Sequence, residues 1–301
     1  MVTYLKRPFL KAMVRKMIKL LVTDLDDTLY PWLGFFVPAF YGMVDELSRI
    51  LKIDENVIIA EYKTVHQDKG SVEYPYATLL LPCVKKAYPD LSREQVLYKL
   101  DPAFHRFNSI RKRELALFPG VKETLKSIFH SGVVIVGFTE SAEENGYFRL
   151  KKLGVDMFFR KVYVSDSEYK PLNKTHTSHK TATIHGKKPN VDVLLQIMTD
   201  EKVLPSETVY VGDSLTKDIY MANQAGVHSV LCKYPSAPNA AELYEKLVAI
   251  TSWKEEDFIY EAKLKQECQI KGILSDYTID NFQQIIQVIN NINGESCYVD
   301  E

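Results

Sequence analysis

An apolar run, Ile18-Lys19-Leu20-Leu21-Val22-Thr23, leads directly into Asp24-Leu25-Asp26-Asp27-Thr28-Leu29. Six mostly apolar residues are a buried strand's length, and packing gives no reason for such a strand to end in carboxylates. Further along, Val133-Val134-Ile135-Val136-Gly137-Phe138 runs into Thr139, and Thr208-Val209-Tyr210-Val211 runs into Gly212-Asp213. Asp218 follows Asp213 by five residues, and Lys188, in Lys188-Pro189-Asn190, opens a helical pattern between the two strands. Ligands of a parallel α/β sheet bind outside the carboxyl ends of its strands. Strand ends of this kind would carry Asp24, Asp26, Thr139, Lys188, Asp213 and Asp218 to one rim.

Several carboxylates in one pocket cannot all ionise without a cation. A small set of hard oxygen ligands suits Mg²⁺, which keeps waters and binds substrate phosphate. The candidate metal ligands are Asp24, Asp26, Asp213 and Asp218. Asp24 and Asp213 are the direct ones, and Asp218 is an outer partner that can also cap the helix after it. A carboxylate can attack phosphorus, and a cation with Lys188 would offset the repulsion between the two anions. Thr139 offers a hydroxyl to a phosphoryl oxygen. Asp26, two residues past Asp24, can protonate a leaving oxygen and later activate water. Asp24, Asp26, Thr139 and Lys188 are therefore the catalytic candidates. Lys170, which also precedes a proline, competes with Lys188, but only Lys188 leads directly into a helical pattern. His176, His179 and His185 fall in a polar stretch that reads as a solvated loop rather than a metal site.

In this order and these settings, the features resemble the haloacid dehalogenase superfamily in its phosphatase branch. The family's Asp-x-Asp-x-Thr stands as Asp24-Leu25-Asp26-Asp27-Thr28, its strand-ending Ser or Thr as Thr139, its helix-opening Lys as Lys188, and its Gly-Asp with a second Asp as Gly212-Asp213 and Asp218. The resemblance spans residues 18–232 and 276–290. It implies a helical cap between the first two motifs, Mg²⁺ as cofactor, and a turn role for Asp27. It also implies that dehalogenases and phosphonate-cleaving members lack a carboxylate where Asp26 stands, so phosphate chemistry is expected. The expected activity is hydrolysis of a small phosphorylated metabolite through an aspartyl-phosphate on Asp24. A phosphomutase, with a sugar hydroxyl in place of water, is the alternative enzyme. A phosphate-binding regulatory protein is the alternative outside catalysis, although a binder has no use for Asp26. The natural substrate is not legible.

Around these residues strands alternate with helices, which predicts an α/β fold: a Rossmann-like parallel sheet covered on both faces, with an inserted all-α cap domain. The division is an N-terminal basic amphipathic extension at 1–17, an α/β core from 18–30 and 116–301, and a helical cap at 31–115. Within the cap, Pro38 is expected to start a helix, Asp54 to cap a second, Ser71 a third, and Ser92 with Gln95 to form a capping box for a fourth. Tyr30, Trp32, Phe35 and Phe36 could line an entrance, but hinge packing is preferred. Val162-Tyr163-Val164, Ser229-Val230-Leu231 and Tyr277-Thr278-Ile279 read as further strands. Residues 165–187 read as irregular, a helix is expected from Asp218 to Ala225, and 236–270 form additional charged helix.

Of the 301 residues, 46% are hydrophobic and 26% charged, an ordinary globular composition. The formal net charge of −1 gives no basic field for nucleic acid. No apolar run approaches the ~20 residues needed to span a bilayer. Cys83, Cys232, Cys268 and Cys297 form no CxxC pair, and the N-terminus lacks a signal-peptide pattern, so a reducing, cytoplasmic setting is expected. The expected partner is a small phosphorylated substrate; oligomeric state is not read from sequence.

Overall fold

Every residue of β1 (Leu20–Thr23) is buried, because the strand lies at the middle of a sheet covered on both sides. The structure is a computed structural model and describes residues 17–69, 73, 75–166, 180–234, 239–251 and 255–295. After β1 come only helices: α1 (Trp32–Leu51), α2 (Glu55–Lys69), α3 (Pro82–Ala87), α4 (Arg93–Glu114) and α5 (Val121–His130). Strands then alternate with helices: β2 (Val134–Ala142), α6 (Glu143–Leu153), β3 (Lys161–Ser165), β4 (Thr181–Ile184), α7 (Val191–Glu201), β5 (Thr208–Gly212), α8 (Tyr220–Ala225) and β6 (His228–Cys232). Two further helices, α9 (Ala240–Ile250) and α10 (Glu255–Ile270), precede β7 (Tyr277–Ile279) and α11 (Ile285–Glu295).

The strands pair in parallel in the order β4-β3-β2-β1-β5-β6-β7. Successive side chains of β1 leave opposite faces, so Leu20 and Val22 pack with Leu194, Ile197 and Met198 of α7. Leu21 instead joins Leu125 of α5, Leu150 of α6 and Ile289 of α11. This is the doubly covered α/β sheet that the alternation predicts. Thr23 pairs with Gly137 on one side and Val211 on the other. The register thus sets the chain just beyond β1 beside Phe138-Thr139 and Gly212-Asp213.

The helices between β1 and α5 are held as one body by apolar contact, chiefly α1 against α4. Their buried residues, among them Phe35, Phe36, Phe40 and Phe107, belong to the same continuous apolar cluster as Leu21 and Ile289. The two connections to the sheet run side by side: the Phe118 amide donates to the Leu29 carbonyl at 2.9 Å. α9 packs on α1 and α2, so a body drawn only from 31–115 leaves out a helix that contacts it.

Some elements differ from expectation. α1 begins at Trp32 and carries Pro38 inside it, because the Asp27 carboxylate accepts from the Trp32 amide at 2.9 Å and starts the helix earlier. β2 continues through Thr139 to Ala142, overhanging the end of β1. β4 lies in the stretch expected to be irregular. The helix expected at Asp218 starts later, at Tyr220, after a π-turn over Leu215–Ile219 that is capped by Ser214. The capping box of Ser92 and Gln95 is present on α4. Tyr30, Phe35 and Phe36 are buried, and Trp32 stacks on Phe36 at 4.8 Å, so this aromatic group is packing rather than an entrance. The extension at 1–16, Ser71, Lys170, His176, His179 and Cys297 lie outside the described residues. Among the described residues no helix is long and apolar enough to cross a membrane.

Candidate active site

Asp24 follows the last residue of β1, and its amide donates to the Val211 carbonyl at 2.9 Å, continuing the ladder one residue past the strand. Its side chain is buried, and Lys188 Nζ donates to its Oδ1 at 2.5 Å. Lys188 precedes Asn190, whose side chain caps α7 by accepting from the Val193 amide at 3.2 Å. The ammonium is buried too, 5.0 Å from the centre of the Phe138 ring, and donates at 2.9 Å to Oδ1 of Asp218. Burial acts to lower the Lys188 pKa, but Asp218 and Asp24 outweigh it and hold the ammonium well above its ordinary value. For Asp24 burial wins: desolvation, with Asp218 and Asp213 adding to it, lifts the carboxyl well above its ordinary value against the pull of Lys188.

Asp218 is buried and fully engaged. Its Oδ1 also accepts from the Tyr210 hydroxyl at 2.8 Å, and its Oδ2 accepts from the Ser214 amide at 3.1 Å. Ser214 Oγ accepts in turn from the Lys217 amide at 3.2 Å, so Ser214, not Asp218, caps the following turn. Gly212 permits this approach: a Cβ there would fall on the Asp218 carboxylate. Asp213 stands exposed at the rim. Desolvation by the surrounding protein, then the charges of Asp218 and Asp27, raises its carboxyl to about 7. The two carboxylates act on it whatever its own exposure.

One carboxylate oxygen from each of Asp24, Asp213 and Asp218 lies within 4.8 Å of the others, the one such acidic group among the described residues. Three crowded carboxylates, two of them buried and only one cation between those two, form a donor set that a small hard dication fits. Asp26 does not join this group. Its Oδ1 accepts from Arg149 Nη1 at 2.8 Å and its Oδ2 from Ser141 Oγ at 2.7 Å, so its side chain is held beside the β2 overhang and α6. Asp26, expected among the metal ligands, therefore has its carboxylate outside the group of three. Thr139 is buried, and its hydroxyl oxygen accepts from the Ser141 amide at 3.0 Å, which leaves its proton to donate. Asp27 adopts φ +54° and caps α1, a turn role. His185 is exposed and pairs with Asp166 at 3.3 Å, away from the acidic group.

Sequence reasoning missed Arg149, Ser141, Tyr210 and Glu140. Glu140 accepts from the Lys188 amide at 3.2 Å and from Lys217 Nζ at 2.6 Å, bracing the two loops against each other. The signal for Arg149 was present: Gly146, Arg149, Leu150 and Leu153 share one face of α6, and a charge in an apolar stripe calls for a partner.

Residues 45–232, more than half of the chain, match the family described as haloacid dehalogenase-like hydrolase. The chain belongs to that family. The matched span begins after Asp24. Glyceraldehyde 3-phosphate phosphatase of Methanopyrus kandleri is 28% identical over 218 residues, 71% of this chain and 83% of that protein. The enzyme of the same name from Pyrococcus furiosus is 23% identical over 279 residues, 92% and 95% of the two chains. Phosphoglycolate phosphatase of Pseudomonas fluorescens is 24% identical over 216 residues, 72% and 70% of the two chains. The fold is also that of a 2-haloacid dehalogenase from Pseudomonas syringae, with a TM-score of 0.52 and 20% identity across 91% of this chain and 99% of that one.

Proposed function

We propose that this hydrolase is a Mg²⁺-dependent phosphatase that cleaves a small phosphorylated metabolite through an aspartyl-phosphate on Asp24. The observation that carries this is a desolvated carboxylate at a strand end, paired with Lys188 at 2.5 Å and grouped with Asp213 and Asp218. Phosphatase relatives whose names give small phosphorylated substrates support the same reaction class.

Asp24 attacks phosphorus, the ester P–O bond breaks, and the departing oxygen takes a proton from Asp26. In the second step water attacks the phosphorus of the aspartyl-phosphate and gives its proton to Asp26. The Asp24–phosphorus bond breaks, and phosphate and free Asp24 are restored. Mg²⁺ held by Asp24, Asp213 and Asp218 would neutralise phosphoryl charge. Lys188, fixed between Asp24 and Asp218, places a permanent cation at the nucleophile, and Thr139 donates to a phosphoryl oxygen. The dehalogenase reaction of the Pseudomonas syringae protein does not transfer with the fold, since Asp26 would serve no purpose in it. The helices between β1 and α5 are the proposed cap that selects among phosphate esters. Buried, unpaired Cys83, Cys232 and Cys268 support a cytoplasmic setting.

Two variants test the chemistry. Asp24→Asn is expected to form no phosphoenzyme and to lose at least about a hundredfold in turnover, since such nucleophiles carry several orders of magnitude. Asp26→Asn is expected to accumulate a hydroxylamine-labile phosphoenzyme with an activated aryl phosphate. Full turnover by Asp24→Asn would remove the nucleophile assignment. Phosphate transferred to a second sugar hydroxyl instead of water would point to a mutase.

A further inference from the structure

Arg149, on α6, is charged and 1% exposed. Its Nη1 donates to Asp26 Oδ1 at 2.8 Å and to Ser141 Oγ at 3.1 Å, and its Nη2 donates to Glu73 Oε1. The guanidinium carbon lies 4.9 Å from the centre of the Phe35 ring. Glu73 is fixed independently, accepting from Trp32 Nε1 at 2.8 Å and from Asn145 Nδ2 at 3.3 Å. Burying a guanidinium costs several kcal/mol unless it is well paired. An apolar side chain on this face of α6 would fill the same space without that penalty, so packing alone does not account for an arginine here.

The arrangement does account for it. Asp26 sits on a tight turn between Asp24 and the left-handed Asp27, with a quarter of its side chain open to solvent. An aspartate so placed has several rotamers available. Arg149 on Oδ1 and Ser141 on Oδ2 leave it one. The guanidinium is itself immobilised by Glu73 on one side and Phe35 on its face. A planar fork can reach two carboxylates through two different nitrogens, whereas a lysine ammonium is a point charge that cannot hold both in this geometry.

We propose that Arg149 is a positioning residue for Asp26, fixing the acid–base carboxylate relative to Asp24 while touching no substrate. The proposal rests on the reading of Asp26 as the acid–base residue. Its effect is confined to steps in which Asp26 moves a proton. Loss of Arg149 leaves Asp24, Lys188, Asp213 and Asp218 in place, so attack on phosphorus is unimpaired when the leaving group needs no proton.

The test compares single-turnover release of the leaving group from p-nitrophenyl phosphate and from glycerol 3-phosphate. The variants are Arg149→Lys and the charge-balanced double variant Arg149→Met with Glu73→Gln, which leaves no unpaired buried carboxylate at Glu73. Asp26→Asn is the control. Both Arg149 variants are expected to slow alkyl ester cleavage about a hundredfold, as misplacement of a catalytic group does, and aryl ester cleavage by less than about threefold, because that departure needs no general acid. The half-saturating concentration of the aryl ester in the single-turnover step is expected to stay unchanged. If Asp26→Asn shows this selectivity and the Arg149 variants do not, or slow both esters alike, Arg149 is a structural tie and the proposal fails while the role of Asp26 stands. If Asp26→Asn itself lacks the selectivity, the acid–base reading fails and takes the proposal with it.

Discussion

Asp24 is pushed toward its protonated form by burial and then by Asp218 and Asp213, and Asp213 by desolvation and then by Asp218 and Asp27; Lys188 does not reverse either shift. The proton and a dication therefore compete for the same oxygens. The sign follows from the direction of the shifts: a carboxyl raised to about 7 is mostly protonated at pH 6 and mostly ionised at pH 8, and only the ionised form ligates metal. Mg²⁺ affinity should rise as pH increases through this range, by about tenfold between pH 6 and pH 8 if one proton is displaced. Isothermal titration at the two pH values, in buffers of different ionisation enthalpy, measures both the affinity and the released proton. Equal affinity with no proton release would mean that Asp213 is already ionised and is not held up by its neighbours. Lys188 is not part of this transition, since its partners hold it charged well above neutrality.

At the scale of elements, the site depends on how closely the loop after β5 folds back on its own strand. The π-turn over Leu215–Ile219 brings Asp218 against Gly212, where no side chain can be accommodated. Gly212→Ala should force Asp218 away from Lys188 and Tyr210. The expected result is about 1–3 kcal/mol of lost stability from overpacking, together with weaker Mg²⁺ binding. Denaturant unfolding and Mg²⁺ titration check the two effects, and wild-type behaviour in both would show that the loop relaxes without cost. The strand ends were legible in the sequence because β1 and β5 are short uninterrupted apolar runs that stop at Asp24 and Asp213. A parallel sheet then leaves one rim for them to share. β4 was not legible: Thr181-Ala182-Thr183-Ile184 is an edge strand of four residues with only Ile184 buried, so it carries no apolar run. The start of α1 was hidden for a different reason. Pro38 is a good first-turn residue, but the Asp27 cap and the buried pair Phe35 and Phe36 favour a helix that starts at Trp32, well before it. Arg149 was missed because a lone arginine in a charged helix reads as solvated until its neighbours on the helix face are counted.

At the scale of the whole molecule, the helices inserted after β1 share one apolar cluster with the face of the sheet that carries Leu21. Phe107 on α4 meets Phe36 on α1 edge to face at 6.4 Å, and Phe36 stacks on Trp32. Trp32 reaches Glu73, which pairs with Arg149 on α6. A path of contacts thus runs from α4 and α1 of the insertion to Arg149 and Asp26, and α9 adds a second tie from beyond β6. Domains that fold separately have their own cores and few contacts across the boundary; here the core does not stop at the boundary. Unfolding should therefore be one cooperative event, with far-UV circular dichroism and tryptophan fluorescence following the same curve. Phe107→Ala is the informative perturbation, because it opens a cavity between α4 and α1, within the insertion. The expected loss is about 3–5 kcal/mol, and it should appear as a shift of the single transition with its slope on denaturant unchanged. If the variant instead unfolds in two stages, with the insertion melting first while β1 to β7 persist, the insertion is an independent unit. Its coupling to Asp26 through Arg149 would then be present only while the insertion is folded and docked.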